Sequence, residues 1–597
     1  MAEQIDLEGL KVERPILVDH ALRRYNSDAM TDAIRKMGFR YIPLTPGSSF
    51  RAVHDSIVNY LGNATPQLIL CLDEVVAVSV AHGYAKASEA PCPVLLHDLV
   101  GLMNGSMAVY NAYCDGVPLV ILGGGGPADR GLGRRPIDAT HSAETQAELI
   151  RDFVKWTDEP TTVYGAMVGI YRATQLASSA PMGPTYVTLD IALQEDELPA
   201  GFQEPDLEEF SVAPTVAPDE ALVVEALKLL NGSRLPVVVA GGHLARNAEA
   251  TPLLVELVEV TGAAYLDVEG SAVPTAHPLN AATDRRVVDD ADAVLLIDVK
   301  DGSAVLGHGV GAMGGKTGGR KLVDLSLGDL AVPSWSNVHS NIYRKDIQLL
   351  SDPLRGLQAL VSLASNHISE TEAEERRRRI EERLRSSREA LTEAIRAHWG
   401  DRPISAERFT AELWNAVRNY GWILASSGGR AWREGIWEFA RGGQVLGGSA
   451  GGGLGYGPGA VVGAALAARD RGQFAIGVLG DGDFVMGNTA LWTAAHYGLP
   501  ALFVVNDNHS FGNDEEHQRH VAEHRSRPLA NAAIAVHIDD PKVDFSLMAR
   551  SMGCIGIGPV DDPERLRDAF DEAVHAVLTG SPALVHVITA LPGLAES

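Results

Sequence analysis

Residues 480–508 read GDGDFVMGNTALWTAAHYGLPALFVVNDN. The run just before, FAIGVLG at 474–480, is short, apolar and uncharged, the pattern of a strand buried on both faces. A helical stretch follows, then a second buried run, ALFVV, which ends in Asn506-Asp507-Asn508. Strand, helix, strand predicts a βαβ unit with two adjacent parallel strands. Both carboxyl ends then fall on one sheet edge, where open α/β sheets bind ligands. Asp481 and Asn508 are predicted to converge there. A carboxylate, an amide oxygen and a backbone carbonyl suit a hard cation such as Mg²⁺, which takes oxygen ligands and often binds together with phosphates. Gly480 leads into a helix opened by Gly482 and Asp483, whose N–H groups can face a diphosphate.

The same alternation extends outward through all 597 residues. In the first block YIPLT, PQLILCL, PCPVLLH, VPLVILGGGG and GPTYVTLD read as buried strands, with a helix from Glu74 between two of them. LPVVVAGG, ADAVLLIDV and RKLVDLS continue it in the second, and GWILASS and PALVHVIT in the third. The expected fold class is therefore α/β, with three doubly wound parallel-sheet domains. The boundaries are drawn at 1–195, 196–369 and 403–597, with a charged linker helix over 370–402 built on EERRRRIEERLRSSREAL.

A net charge of −27 argues against nucleic-acid and anionic-membrane partners, which need a basic stripe. Gly442–Ala468 is uncharged and long enough to span a bilayer, but eleven glycines and Pro458 make it a buried turn leading into a core helix. Cys71, Cys92, Cys114 and Cys554 form no CxxC pair, and the charged N-terminus has no apolar leader core, so a cytoplasmic protein is expected. Gly314-Gly315-Lys316-Thr317 resembles a P-loop end, yet Val310 stands where the motif needs glycine. The turns at Gly123–Gly126 and Gly241-Gly242 lack the full dinucleotide fingerprint and read as tight turns after strands.

The GDG stretch with its Asn-rich strand end resembles the signature of the thiamine-diphosphate enzymes, the group that includes acetolactate synthases, benzoylformate decarboxylases and 2-hydroxyacyl-CoA lyases. Two further stretches carry the resemblance: SAGGGLGYGPGAVVGAALA at 449–467 and LILCLDEVVAVSVAHGYAKAS at 68–88. It implies a pyrimidine-binding, a central and a diphosphate-binding domain, with thiamine diphosphate and Mg²⁺ as cofactors. Asp481, Asn508 and the carbonyl of Ser510 would hold the metal. Asp507 replaces the family's first Asn, which leaves that ligand set intact. Leu454 would be the wedge that bends the cofactor, Gly452 would offer its carbonyl to the aminopyrimidine, and Glu74 would bond the same ring. The family's site is shared between subunits, which implies a homodimer at least and a homotetramer as the usual form.

Where acetolactate synthases and 2-hydroxyacyl-CoA lyases carry a Ser/Thr-Gly-Pro-Gly loop, this chain reads LLHDLVGLMNG, which resembles benzoylformate decarboxylase. His97 lies 23 residues after Glu74 and Thr45-Pro46-Gly47-Ser48 matches a turn of that enzyme. By resemblance Ser48 binds a substrate carboxylate and His97 shuttles protons, a task its ordinary pKa suits. The expected substrate is a small 2-oxo acid, aldehyde or acyloin, cleaved or joined next to its carbonyl. Phe511–Asp514 and His517 are expected to line the pocket. No flavin is expected, since neither an FAD nor an ADP signature marks the central block. An acetolactate-synthase-like transferase, a flavin oxidase of the same fold and a non-catalytic homologue are the alternatives; the last is disfavoured because Glu74, Asp481 and Asn508 are all present.

Overall fold

Short apolar runs, each followed by a turn and a helix, leave the chain no way to pair neighbouring strands except in parallel. The computed structural model accordingly contains three parallel sheets, and it describes residues 13, 15, 22–132, 140–268, 270–300, 302–306, 319–330, 344–428 and 432–590. The P-loop-like Gly314–Thr317 lies outside the described residues.

The first sheet holds β1 (Tyr41–Leu44), β2 (Gln67–Leu70), β3 (Cys92–Leu96), β4 (Leu119–Gly125), β5 (Thr157–Asp158) and β6 (Thr185–Asp190) in the order β2-β1-β3-β4-β6-β5. The second holds β7 (Pro236–Ala240), β8 (Ala264–Asp267), β9 (Ala293–Ile297), β10 (Lys321–Ser326) and β11 (Ile347–Leu350) in the order β11-β10-β9-β7-β8. The third holds β12 (Trp422–Ser427), β13 (Phe474–Gly480), β14 (Ala501–Asp507), β15 (Ile555–Val560) and β16 (Ala583–Ile588) in the order β12-β13-β14-β16-β15. Four strands escape the sequence reading: β5, β8, β11 and β15. All four lie at sheet edges, and β11 and β15 are mostly half-buried rather than buried.

Five helices border the site, α1 (Glu74–Ser88), α2 (Asp98–Asp115), α4 (Tyr456–Arg469), α5 (Asp481–Met486) and α6 (Gly512–His524), and α3 (Glu370–Ala397) lies apart from it. The charged α3 buries Ala373, Arg376, Ile380 and Leu384. Its Arg376 donates to the carbonyls of Asn231, Thr261 and Ser233, so the helix lies along the central domain. The first and third domains meet where α1 packs on α4. A methyl group on Gly83 would stand 2.3 Å from the Ala460 carbonyl oxygen, and one on Gly463 would stand 2.0 Å from that of Val80. Only small residues allow two helices this close, which is why both are rich in glycine and alanine.

In the central sheet, Gly241 and Gly242 face Asp298, whose carboxylate accepts the Leu244 N–H at 3.0 Å. Gly123, Gly124 and Gly125 lie within β4 rather than in a turn. A side chain on Gly124 would strike Ser49. No described helix is long and apolar enough to cross a membrane.

Candidate active site

Register decides what meets at the edge of the third sheet. Gly480 pairs with Asn506, so Asp481 leaves β13 beside Asp507 at the end of β14. The Ser510 N–H is shared by Asp481 Oδ2 at 3.1 Å and Asn508 Oδ1 at 3.0 Å. Two side-chain oxygens within reach of one nitrogen converge on the same small volume, next to the Ser510 backbone. The Gly482 N–H points to Asp481 Oδ1 at 2.8 Å. Burial, and then the facing Asp507 carboxylate, raises the pKa of Asp481. Burial acts on Asp507 in the same sense. Hydrogen bonds from His586, at 2.8 Å, and from Asp481 outweigh it and hold Asp507 below the usual carboxylate range.

Phe511 lies over Gly482, where a methyl group would stand 2.4 Å from its ring. Ser510 Oγ donates to the buried Glu515 at 2.8 Å, and His537 Nε2 lies 2.9 Å from the same carboxylate oxygen. Backbone bonds from Phe511 to Val536 and from Ile538 to His509 seat the segment around His537 on the strand end. Gly512 is buried, Asn513, Asp514 and His517 are exposed on α6, and sequence reasoning did not find His537.

The Gly-rich turn before α4 is tied to the same edge. Asp483 Oδ1 accepts the Gly455 N–H at 2.7 Å. Its carboxyl is pushed up to about 6 by burial, against the hydrogen bonds from Gly455 and Gly457. Asp483 therefore links α5 to the turn through its side chain. Gly452 has φ +65, a left-handed conformation that glycine adopts without steric cost. Leu454 is 43% exposed, and its flanking residues Gly453 and Gly455 lie against the exposed Met107 and Met486.

On the first sheet, β1 and β3 are neighbours, so the turn after Leu44 and the residue after Leu96 lie side by side. His97 Nδ1 lies 2.8 Å from Ser49 Oγ and 3.3 Å from the Ser49 N–H, which donates to it. That bond places the ring proton on Nε2, which lies 3.1 Å from His141 Nδ1. Asp98, with φ +45, turns the chain sharply here, and its Oδ2 accepts from Ser142 Oγ at 2.9 Å. Glu74 opens α1, capped by Asp73, and its Oε2 accepts from Asn104 at 2.7 Å. A methyl group on Gly101 would stand 3.3 Å from Glu74 Oε1 and 3.5 Å from His97 Cβ, so one small residue separates the two.

Ser48 is placed differently from its neighbour. Its carbonyl accepts from Arg51 at 3.2 Å, and it lines an open cavity of about 570 Å³ with Arg51, His54 and Asp55. Ser49, not Ser48, is the serine that holds His97. His141 was also missed from sequence; the only signal was a histidine in the polar stretch Thr140–Gln146.

Two family models match the chain. The N-terminal thiamine-pyrophosphate-binding domain matches residues 26–148, and the C-terminal one matches residues 429–587. The chain belongs to the thiamine-diphosphate-dependent enzymes. Among its relatives, benzoylformate decarboxylase of Pseudomonas aeruginosa is 29% identical over 535 residues, 87% of this chain and 91% of that protein. The acetolactate synthase large subunit of Lactococcus lactis is 22% identical over 98% of this chain and 94% of its own. The structure of 4-hydroxybenzoylformate decarboxylase from Rhodococcus jostii RHA1 shares the fold with a TM-score of 0.72 at 20% identity, over 95% of this chain and 99% of that one. Benzoylformate decarboxylase from Polynucleobacter necessarius gives 0.72 at 18% identity, over the same shares.

The edge of the third sheet fits what a thiamine-diphosphate enzyme must hold. Asp481 and Asp507 are both buried at one strand end, where Asp507 favours the protonated form of Asp481, and a cation there would favour the ionised form instead. No cluster of three or more His, Cys, Asp or Glu suited to a metal occurs among the described residues. What converges at this edge is of another kind, the Asp481 carboxylate and the Asn508 amide oxygen at the Ser510 N–H, hard oxygen donors of the type that diphosphate-bound cations take.

Proposed function

We propose that this enzyme breaks a carbon–carbon bond next to a carbonyl as a 2-oxo acid decarboxylase, with joining of the acyl unit to an aldehyde as a second outcome of the same site. The carrying observation is His97, an imidazole set beside Glu74 at the end of β3, where acetolactate synthases are expected to have a glycine loop. Bound thiamine diphosphate supplies the nucleophilic carbon and the electron sink.

The protein's own residues do the rest. Asp481, Asn508 and the Ser510 carbonyl are the ligands assigned to Mg²⁺. Gly480, Gly482 and Asp483 would hold the diphosphate, Leu454 would be the wedge beneath the cofactor, and the Gly452 carbonyl and Glu74 would bond the aminopyrimidine. Decarboxylation breaks the bond between carboxyl and carbonyl carbons, releases CO₂ and requires one proton at the carbonyl carbon to give the aldehyde. The Ser49–His97–His141 chain is the proton route for that step, and Ser48 contacts the substrate carboxylate. Exposed Val100, Met103, Met107, Leu454 and Met486 around these groups support a site completed by a second copy, hence a homodimer or homotetramer. A cytoplasmic location follows from the reduced cysteines expected of this chain.

Incubating the enzyme, cofactor and Mg²⁺ with single 2-oxo acids and reading the products by mass spectrometry tests the proposal. Free aldehyde is expected as the main product. A condensed 2-acyl-2-hydroxy acid without free aldehyde would favour the acetolactate-synthase-like transferase, the second reading supported by relatives such as the Lactococcus protein.

A further inference from the structure

We propose that Asn111 is a positioning residue for the cofactor: it grips the backbone of Gly453 and so sets Leu454, the next residue, in place. This rests on the reading of Leu454 as the cofactor wedge. Asn111 Oδ1 accepts the Gly453 N–H at 3.1 Å, and Asn111 Nδ2 donates to the Gly453 carbonyl at 3.1 Å. One side-chain amide thus satisfies both polar groups of one peptide residue, a two-point grip that fixes position and orientation together. Asn111 is buried, so these bonds face little competition from water.

Two further side chains of the first domain hold the same turn. Asp115, one helical turn beyond Asn111, accepts the Ala450 N–H at 2.8 Å, and Lys86 donates to the Gly448 carbonyl at 2.7 Å. Lys86 and Asp115 are themselves a buried ion pair. The approach is close enough to dictate sequence. A methyl group on Gly453 would stand 2.2 Å from Met107 Cε, and one on Gly451 would stand 2.5 Å from Asn111 Oδ1. Two turns earlier on α2, Asn104 holds Glu74. A single helix therefore positions both the carboxylate and the wedge, and the first domain shapes the cofactor site of the third.

Calorimetric titration of the full-length protein with thiamine diphosphate in excess Mg²⁺, combined with amide exchange, tests this. For Asn111→Ala we expect the cofactor Kd to rise about 10-fold or more, the scale of losing one anchored contact. Exchange should quicken over residues 448–455 and stay unchanged over Cys92–Leu96. Asn111→Asp has the same shape and keeps the acceptor but loses the donor, so it should also weaken binding and gives the answer if the alanine variant fails to fold. A Kd within twofold of the parent in a folded Asn111→Asp protein, or unchanged exchange at 448–455, would overturn the proposal. Absence of binding by the parent protein would instead overturn the cofactor reading on which it rests.

Discussion

Nε2 of His97 stands 3.1 Å from Nδ1 of His141, while the other ring nitrogen of His97 accepts from Ser49. A histidine whose Nδ1 is fixed by a backbone donor presents its proton only at Nε2, and here that proton is directed at a second imidazole. If both rings serve the proton route, His97→Ala slows turnover about 10²-fold or more, and His141→Phe slows it at least about 10-fold, on the general acid–base scale. In the His141→Phe variant cofactor affinity should hold while kcat falls. Parental kcat in that variant would reduce His141 to a packing contact.

Glu74 is held by Asn104 through one oxygen, which leaves Oε1 for the cofactor ring. Glu74→Gln should nearly abolish turnover with the fold and Mg²⁺ binding intact, because an amide stabilises a protonated ring nitrogen poorly. Retention of most activity, measured alongside the circular dichroism spectrum, would remove Glu74 from its assigned role.

Asp481 and Asn508 meet at the Ser510 N–H. Replacing either by alanine should eliminate thiamine-diphosphate binding, since a diphosphate would then meet the uncompensated negative edge around Asp507. Dialysis against EDTA should do the same to the parent protein, and Mg²⁺ should reverse it. Calorimetry showing parental affinity in either variant would rule out the metal site.

His82 is fully buried, with Nε2 2.9 Å from Asp115 Oδ2. Burial, and then the charge of Lys86, lowers its pKa from 6.5 to about 4. Between those values the unfolded chain binds the extra proton, so this contribution to stability is complete above about pH 6.5 and is lost as pH falls toward 4. The effect is of order 3 kcal/mol at full extent. Melting curves of the parent and of His82→Gln across this window should converge as the pH falls; parallel profiles would show that His82 does not titrate as stated.

Burial leaves a simple imprint on parts of this sequence. A parallel strand covered on both faces must be an apolar run, so FAIGVLG and ALFVVND announced β13 and β14, and their order fixed which carboxyl ends would meet. The edge strands β2 and β12 are buried and were read, whereas Thr157–Asp158 is too short and Ile555–Val560 too exposed to carry the imprint, and both passed unread. The α1–α4 contact was legible because close helix packing demands small residues where the backbones touch, at Gly83, Gly459 and Gly463. Partners chosen by the fold were not. Nothing in Thr140–Gln146 says that His141 meets His97, and nothing in α2 distinguishes Asn111 from any other polar residue on a helix. The Ser48–Ser49 pair shows the limit most sharply: the turn was legible, but the meeting of Ser49 with His97, and its packing against Gly124 of β4, are decided by the tertiary fold.

Thiamine-diphosphate-dependent cleavage beside a carbonyl is tested by CO₂ release from benzoylformate and other 2-oxo acids, measured on cofactor-stripped protein before and after resupply. Release of CO₂ with matching aldehyde from at least one of these acids is expected only after both thiamine diphosphate and Mg²⁺ are returned, and it should vanish in Glu74→Gln. No release from any 2-oxo acid by protein shown to hold the cofactor, or release that is indifferent to the cofactor, would contradict the account.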